Sequence, residues 1–262
     1  MTIPLLSSWI ASVDVAPRGN LVLCGTPEGP VIVPAPDSLG VMVERRASLE
    51  MRSSLGGGPA QRSEPIKFSG HDGGVTIARF TGSALNFISG STDHTAALWD
   101  SSTKQIITRF EGHGGDVTDL SFNRNIELET FFTSSADSTA KMWDLRTGEV
   151  VSTFAGHEAD VNSLEVSKCG NLLVTGSTDA TCQLFDIRNS GKSIVTLSDL
   201  SVNADCEAVA FSPQGYHVVA GYKDGQLLAW NLINTHYAQL KEFDKSVGTL
   251  KKIWICMKLD HF

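Results

Sequence analysis

Two short sequence markers recur along the chain with a shared period of a little over 40 residues. A Gly-His pair begins each of three repeats, at residues 70–71, 112–113 and 156–157. An aromatic residue followed by Asp or Asn ends four repeats, at residues 99–100, 143–144, 185–186 and 230–231. Because the two markers keep the same phase, the chain contains tandem copies of one structural unit, and this constrains the fold more than any other feature.

Each copy has the pattern of four short strands. In the first complete copy, runs of apolar and β-branched residues predict strands at residues 75–80, 84–89, 95–99 and 105–110. Short strands at regular spacing, with turn residues between them, predict an all-β architecture. A period of this length, marked by Gly-His and Trp-Asp, is typical of the four-stranded blade of a β-propeller. About five such blades are recognisable in this chain.

The segments around the repeats set the expected domain boundaries. Ala-Pro-Arg-Gly-Asn at 16–20 parallels Ser-Pro-Gln-Gly-Tyr at 212–216, although Pro34 stands where a tryptophan is expected. The sequence therefore predicts the start of an atypical first blade at 1–34, a flexible insertion at 35–64, repeat blades at 65–234 and a divergent tail at 235–262. Within the insertion, Arg45-Arg46-Ala47-Ser48 fits a kinase that prefers basic residues, with Ser48 as its acceptor.

Composition and motifs exclude several classes of function. There are 29 acidic and 21 basic residues, and the formal net charge of −8 argues against a nucleic-acid partner. The five cysteines are scattered without a Cys-x-x-Cys pair, which predicts single buried thiols in a reducing compartment rather than a disulfide framework or zinc site. No signal peptide or bilayer-spanning run is present, and we expect no membrane insertion. Without a phosphate-binding loop or nucleophile motif, we expect no enzyme, no metal and no cofactor.

The repeat resembles the WD-repeat family, and this resemblance assigns a structural role to the histidines. Metal ligation or catalysis is the alternative, but one histidine per copy places each imidazole in a different sheet. In the family the histidine joins a buried hydrogen-bond network with a hydroxyl, a turn Asp and the Trp. The matching residues are His71, Ser89, Asp93 and Trp99; His113, Thr133, Asp137 and Trp143; and His157, Thr175 and Asp179.

The network weakens toward the end of the chain. In the third complete copy Phe185 replaces the Trp and has no N–H group to donate. In the fourth copy, Val202 and Ala220 stand where the histidine and the hydroxyl residue are expected, although Asp224 and Trp230 remain. These copies are therefore expected to depend more on apolar packing.

Within the WD-repeat family, the chain is most similar to the β subunit of heterotrimeric G proteins. The similarity rests on segments that depart from the general repeat, at residues 7–9, 16–20, 156–162, 179–186 and 220–222. It covers residues 3–233 and implies the second to sixth blades of a seven-bladed type. Seven blades need roughly 294 residues, so the resemblance implies a truncated isoform or incomplete gene product that lacks the first and last blades, with an incompletely closed propeller.

The resemblance implies a signalling scaffold without catalysis. The expected partners are a G-protein γ subunit or γ-like domain, the GDP-bound α subunit and effector proteins, in receptor-coupled signal transduction. The expected location is cytoplasmic, with peripheral association at the inner face of the plasma membrane through those partners. The alternative is a generic WD-repeat adaptor in vesicle trafficking, ribosome-associated signalling or protein turnover.

Four residues match contacts that the β subunit makes with the α subunit: Trp9, Asp116, Asp160 and Asn162. For the polar residues among them, the alternative is a role in stabilising the turns. Four other contact positions carry smaller or different residues than the family does, namely Ala11, Pro27, Gly74 and Thr118. Because apolar anchors supply much of an interface's affinity, these replacements predict weakened binding to the α subunit.

Overall fold

A computed structural model describes residues 9–17, 20–34, 65–82, 85–122, 130–189, 191–199, 202–233 and 237–242. The described residues form 20 β-strands arranged in five four-stranded sheets. The chain divides into two compact units, Met1–Arg109 and Phe110–Phe262. Ser48, the predicted insertion at 35–64 and the tail beyond Glu242 lie outside the described residues.

The first unit holds two sheets, which we call blades 1 and 2. Blade 1 consists of β1 (Ser12–Val15), β2 (Leu21–Thr26), β3 (Gly29–Pro34) and β4 (Ile66–Lys67). Blade 2 consists of β5 (Val75–Phe80), β6 (Asn86–Ser91), β7 (Ala96–Asp100) and β8 (Ile106–Phe110), whose last residue begins the second unit. Consecutive strands are neighbours in each sheet, so both blades are simple meanders.

The second unit holds blades 3, 4 and 5, each again a meander of four strands in chain order. Blade 3 consists of β9 (Val117–Phe122), β10 (Thr130–Ser135), β11 (Thr139–Asp144) and β12 (Val150–Ala155). Blade 4 consists of β13 (Val161–Val166), β14 (Leu172–Ser177), β15 (Cys182–Asp186) and β16 (Ser193–Leu197). Blade 5 consists of β17 (Cys206–Phe211), β18 (His217–Tyr222), β19 (Gln226–Asn231) and β20 (Tyr237–Glu242).

The prediction of an all-β fold made of four-stranded blades is confirmed. In blade 2 the first predicted strand matches β5, whereas the second predicted strand, 84–89, begins two residues before β6. The fourth strand of blade 5 is β20, which pairs with β19 and lies inside the segment assigned to the tail. The predicted boundary at residue 234 therefore falls within blade 5.

Apolar side chains from neighbouring blades form the core of each unit. One cluster in the second unit joins blades 3 and 4, and includes Phe132, Phe154 and Phe185. A second cluster joins blades 4 and 5 around Cys182, Cys206 and related apolar residues. Because the inner strands are covered on both faces, β6, β10 and β14 are buried along nearly their whole length.

Hydrogen bonds from side chains to backbone amides join the first strands of neighbouring blades. In the first unit, Ser12 Oγ of β1 accepts from the Ala78 amide at 2.9 Å, and Asp14 Oδ2 accepts from the Phe80 amide at 2.8 Å. The first strand of a blade has a sheet partner on one side only, so half of its amides need another acceptor. The preceding blade supplies that acceptor from alternate positions of its own first strand.

The second unit repeats this arrangement. Asp119 Oδ2 of β9 accepts from Ser163 Oγ at 3.0 Å and from the Leu164 amide at 3.3 Å. Glu165 Oε2 of β13 accepts from the Phe211 amide of β17 at 2.6 Å. The polar side chains of these strands therefore hold adjacent blades in register.

Candidate partner-binding surface and its supporting networks

Two loops meet at one end of each blade. The segment that precedes the first strand lies beside the turn between the second and third strands, because neighbouring strands are antiparallel. In blade 3 these are the Gly-His segment before β9 and the turn between Ser135 and Thr139. The predicted networks lie beneath this end, and the predicted polar contact residues lie on it.

Blade 2 brings together all four residues of its predicted network. His71 Nδ1 lies 2.8 Å from Asp93 Oδ2, and His71 Nε2 lies 2.7 Å from Ser89 Oγ. The Trp99 indole donates to the same Ser89 oxygen at 2.7 Å. Asp93 Oδ1 also accepts from the amide and the hydroxyl of Thr95, at 2.9 and 2.6 Å. The carboxylate therefore ties the Gly-His segment to the turn.

Blade 3 repeats the network with a threonine. His113 lies 2.8 Å from Asp137 and 2.7 Å from Thr133 Oγ1, and the Trp143 indole donates to Thr133 Oγ1 at 2.8 Å. An indole can only donate, so the hydroxyl oxygen accepts from it and sends its own hydrogen to His113 Nε2. The proton of the neutral imidazole then lies on Nδ1 and is donated to the carboxylate, which satisfies every member of the chain.

In blades 2 and 4, burial and hydrogen bonding favour a neutral histidine beside an ionised aspartate. Burial lowers the pKa of His71 and of His157, although Asp93 and Asp179 partly oppose this effect. Burial alone would raise the pKa of Asp93, but hydrogen bonds from Thr95 and His71 outweigh it and lower that pKa to about 2. The same pattern lowers the pKa of Asp179. A neutral imidazole thus faces an ionised carboxylate near neutral pH.

Blade 4 keeps the imidazole and loses the indole. His157 lies 2.8 Å from Asp179 and 2.7 Å from Thr175 Oγ1. Phe185 occupies the Trp position and is 1% exposed. A Cβ atom placed on Gly156 would lie 2.4 Å from Gln183 Oε1, whereas the corresponding glycine of blade 3 faces the Trp143 ring. The Gln183 side chain therefore fills space that the far edge of an indole occupies elsewhere.

Blade 5 has no network of this kind. Val202 and Ala220, at the positions of the histidine and the hydroxyl residue, are both buried. Asp224 Oδ1 still accepts from the Gln226 amide at 3.1 Å, which keeps the turn closed. Lys223 pairs with Asp205 at 2.8 Å across the same end. Apolar packing and this surface ion pair replace the buried polar chain.

The geometry of the three network histidines leaves none of their ring nitrogens for a metal ion. Both ring nitrogens of His71, His113 and His157 have hydrogen-bond partners within the histidine's own blade. Among the described residues, no group of three His, Cys, Asp or Glu side chains could hold a metal. The same part of the chain contains no helix with the length and apolar character required to cross a bilayer.

Three polar residues match positions at which the β subunit of the family contacts the α subunit, and all three lie in the second unit. Asp116 and Asp160 directly precede the first strands of blades 3 and 4, and the Thr118 hydroxyl donates to the Val161 carbonyl between those strands. The Asp160 side chain is exposed, and its backbone carbonyl accepts from the Thr178 amide at 2.9 Å. This end of blades 3 and 4 therefore presents acidic side chains on a backbone held by hydrogen bonds.

Asn162 has a role within the fold. Its Nδ2 donates to the Cys206 carbonyl of blade 5 at 3.0 Å and to Thr178 Oγ1 at 3.2 Å. Both amide hydrogens are thus used internally, and only Oδ1 remains to accept from a partner. Trp9 belongs to the first unit, precedes β1 and is 69% exposed.

Two of the replaced contact positions lie against each other in the first unit. A Cβ atom on Gly74 would lie 3.4 Å from Pro27 Cα, an ordinary van der Waals distance. In the second unit, Thr118 Oγ1 lies 2.8 Å from Ser134 Oγ and also bonds the Val161 carbonyl. The Thr118 hydroxyl therefore serves the contact between blades 3 and 4.

The residues that join adjacent blades were not anticipated. Asp119 is 3% exposed and bonds residues 44 and 45 positions later, which a single repeat does not reveal. A signal was present in the sequence. The first strands of three blades carry a pair of polar residues two positions apart, in phase with the repeat: Ser12 with Asp14, Asp119 with Ser121, and Ser163 with Glu165.

Comparison with known proteins agrees with this architecture. The family described as WD domain, G-beta repeat matches residues 63–100, 104–144, 148–186 and 192–231. Each matched range contains the fourth strand of one blade and the first three strands of the next. The range 148–186, for example, contains β12 to β15.

Individual relatives are similar over most of the chain. Guanine nucleotide-binding protein subunit beta-5b of Danio rerio is 32% identical over 245 residues, which cover 93% of this chain and 58% of that protein. Guanine nucleotide-binding protein subunit beta of Oryza sativa subsp. indica is 30% identical over 242 residues, covering 88% of this chain and 59% of that protein. This chain thus spans a little under three-fifths of these relatives. Repeat, blade structure and sequence match together show that the chain belongs to the WD domain, G-beta repeat family.

Proposed function

We propose that this protein is a docking scaffold of the G-protein β type. It binds a γ subunit or γ-like domain, the GDP-bound α subunit and effector proteins, and it catalyses no reaction itself. The observation that carries this proposal is the similarity to guanine nucleotide-binding β subunits, at 30–32% identity over about nine-tenths of this chain. The protein then acts in the cytoplasm and reaches the inner face of the plasma membrane through its partners.

The end of blades 3 and 4 supports this function physically. Buried networks and cross-blade hydrogen bonds hold the loops that carry Asp116 and Asp160 and the start of β13, which carries Asn162. A rigid scaffold that presents side chains from loops loses little conformational entropy on binding. The acidic character of this end favours a partner surface that offers basic side chains or amide donors.

Recovery of partners from cells tests the proposal. The tagged full chain is co-expressed with γ subunits, a γ-like domain and an α subunit held in the GDP state. We expect recovery of a γ-type partner, and α-subunit binding that is weaker than that of the relatives because Ala11, Pro27, Gly74 and Thr118 replace larger contacts. Recovery of coat, ribosomal or ubiquitin-ligase proteins without any γ-type partner would contradict the proposal and favour the adaptor alternative.

A matched pair of variants tests the surface. Asp160→Ala removes an exposed carboxylate at the proposed end of blade 4, and we expect it to weaken α-subunit binding about fivefold to tenfold. Glu149→Ala removes an exposed carboxylate from the opposite end of blade 3, and we expect unchanged binding. Both variants should keep the thermal midpoint of the parent, because both side chains are exposed. Equal binding by both variants would show that the contact lies elsewhere.

A further inference from the structure

Two cysteines from neighbouring blades meet inside the second unit. Cys182 opens β15 of blade 4, and Cys206 opens β17 of blade 5. Both residues are 0% exposed, and their sulfur atoms lie 3.5 Å apart. The Tyr222 hydroxyl lies 4.0 Å from the Cys182 sulfur and covers the pair.

The approach of the two thiols depends on a glycine. Gly176 pairs directly with Cys182 across β14 and β15. A Cβ atom on Gly176 would lie 2.6 Å from Cys206 Sγ and 3.5 Å from Cys206 Cβ. Cys206 therefore occupies the space that a side chain at position 176 would fill. Directly opposed residues of antiparallel strands have Cβ positions about 5 Å apart. Because Gly176 is opposed to Cys182, the space over Gly176 that Cys206 occupies lies beside the Cys182 side chain.

We propose that Cys182 and Cys206 are a site of reversible oxidation, at which a disulfide joins blade 4 to blade 5. The short sulfur–sulfur distance and the common burial place the two groups for a bond of about 2.05 Å after a small rotation of the side chains. The structure describes two further cysteines, Cys24 and Cys169. All four described cysteines are free thiols in this structure.

Hydrogen peroxide is the oxidant class that suits a buried pair, since it is small and uncharged. One thiol is oxidised to a sulfenic acid while peroxide is reduced, and one water is released. The second thiol then attacks the sulfenic sulfur, the S–O bond breaks, and the hydroxyl leaves as a second water with the remaining proton. Two thiols and one peroxide thus give one disulfide and two waters. A dithiol reductant reverses the bond by exchange.

The environment of the two thiols makes this reaction slow as long as the interface between blades 4 and 5 stays closed. A hydrogen bond with Cys182 and burial both raise the pKa of the Cys206 thiol well above its ordinary value, which disfavours the reactive thiolate. The bond would also fix the Cys206 backbone, whose carbonyl accepts from Asn162. Oxidation would therefore add a covalent bond to the contact between blades 4 and 5, beneath the proposed partner-binding end, until a reductant breaks it.

Peptide mapping of the oxidised full chain tests the proposal. Cys169→Ser and Cys256→Ser remove the exposed thiol and the thiol outside the described residues. Trypsin cleaves at Arg188 and Lys192, between the two cysteines, so a disulfide would link two separate peptides. After treatment with peroxide and alkylation without reductant, we expect this linked pair, with a protein mass lower by two hydrogen atoms. Cys24, the sole cysteine of residues 1–109, should be recovered as a free thiol and serves as the internal control.

Thermal unfolding gives a second readout. A disulfide that closes a loop of this length should raise the unfolding midpoint by about 10 °C, and dithiothreitol should return it to its initial value. The same treatment of Cys206→Ala should leave the midpoint unchanged. Sulfinic acid at either cysteine without a linked peptide, or a linked peptide that forms only in urea, would overturn the proposal.

Discussion

Blades 3 and 4 contain the same chain of carboxylate, imidazole and hydroxyl, and only blade 3 completes it with an indole. The distances from the histidine to Asp and to Thr are 2.8 and 2.7 Å in both blades. Removal of the indole therefore leaves the geometry of the remaining chain unchanged. The comparison shows that the turn is positioned by the imidazole and the carboxylate, whereas the aromatic position mainly fills volume.

The hydroxyl residues should show the largest difference between the two blades. Thr133→Val in blade 3 leaves two buried groups without partners, His113 Nε2 and the Trp143 N–H. Thr175→Val in blade 4 removes the partner of His157 Nε2 and a long bond of 3.4 Å to the Gln183 carbonyl, but no indole N–H loses its acceptor. Since each unsatisfied buried group costs about 1–3 kcal/mol, we expect losses in the free energy of unfolding of about 4 kcal/mol and about 2 kcal/mol, measured by urea denaturation.

The same substitution on the surface provides the control. Thr196→Val lies at an exposed position of β16 and should change the free energy of unfolding by less than about 0.5 kcal/mol. Equal losses for Thr133→Val and Thr175→Val would show that the indole hydrogen bond contributes nothing to blade 3.

An added indole in blade 4 should produce a smaller effect that depends on Gln183. In the register of the strands, Gln183 of blade 4 corresponds to Ala97 of blade 2, where the Trp is present. Phe185→Trp alone should destabilise by about 1–2 kcal/mol, because the larger ring meets the Gln183 side chain in a filled core. Phe185→Trp with Gln183→Ala should recover most of that loss, since the indole can then extend over Gly156 and donate to Thr175.

A double-mutant cycle measures this coupling directly. We expect a favourable interaction energy of about 1–2 kcal/mol between the two substitutions, from four urea denaturation curves. Trp fluorescence of the double variant should show a buried indole. Additive effects of the two substitutions would mean that Gln183 does not occupy the indole space.

Much of this architecture was accessible from the sequence because it depends on local, repeated features. The Gly-His and Trp-Asp markers predicted the blades, and the loss of the indole at Phe185 predicted an incomplete network in blade 4. Strand boundaries were less accurate: the second strand of blade 2 was predicted two residues too early, because Ala84 and Leu85 are apolar and give no turn signal in the sequence. The role of β20 escaped prediction since its segment carries neither marker.

The contacts between blades could not be predicted in the same way. Cys206 of β17 fills space over Gly176 of β14, and Asp119 of β9 bonds Ser163 of β13, because strands of two blades approach closely. Such contacts depend on how one blade faces the next, and no local pattern encodes that distance. Sequence reasoning treated the cysteines as single thiols because Cys182 and Cys206 are 24 residues apart.

The residue after the turn Asp should give the smallest effect, and it extends the comparison to blade 5. The residue that follows the turn Asp has a φ of 64° at Ala180 in blade 4 and 91° at Gly225 in blade 5. This left-handed region costs an L-residue about 1–2 kcal/mol, while glycine adds about 0.4–1 kcal/mol of unfolded-state entropy. We therefore expect Ala180→Gly to stabilise by about 0.5 kcal/mol and Gly225→Ala to destabilise by a similar amount in urea denaturation. Changes in the free energy of unfolding of opposite sign and similar size would show that both turns require a left-handed residue after the Asp, whether or not the buried network is present. A loss in both variants would instead mean that the Asp179 network in blade 4, and not the turn's own conformational preference, sets its stability.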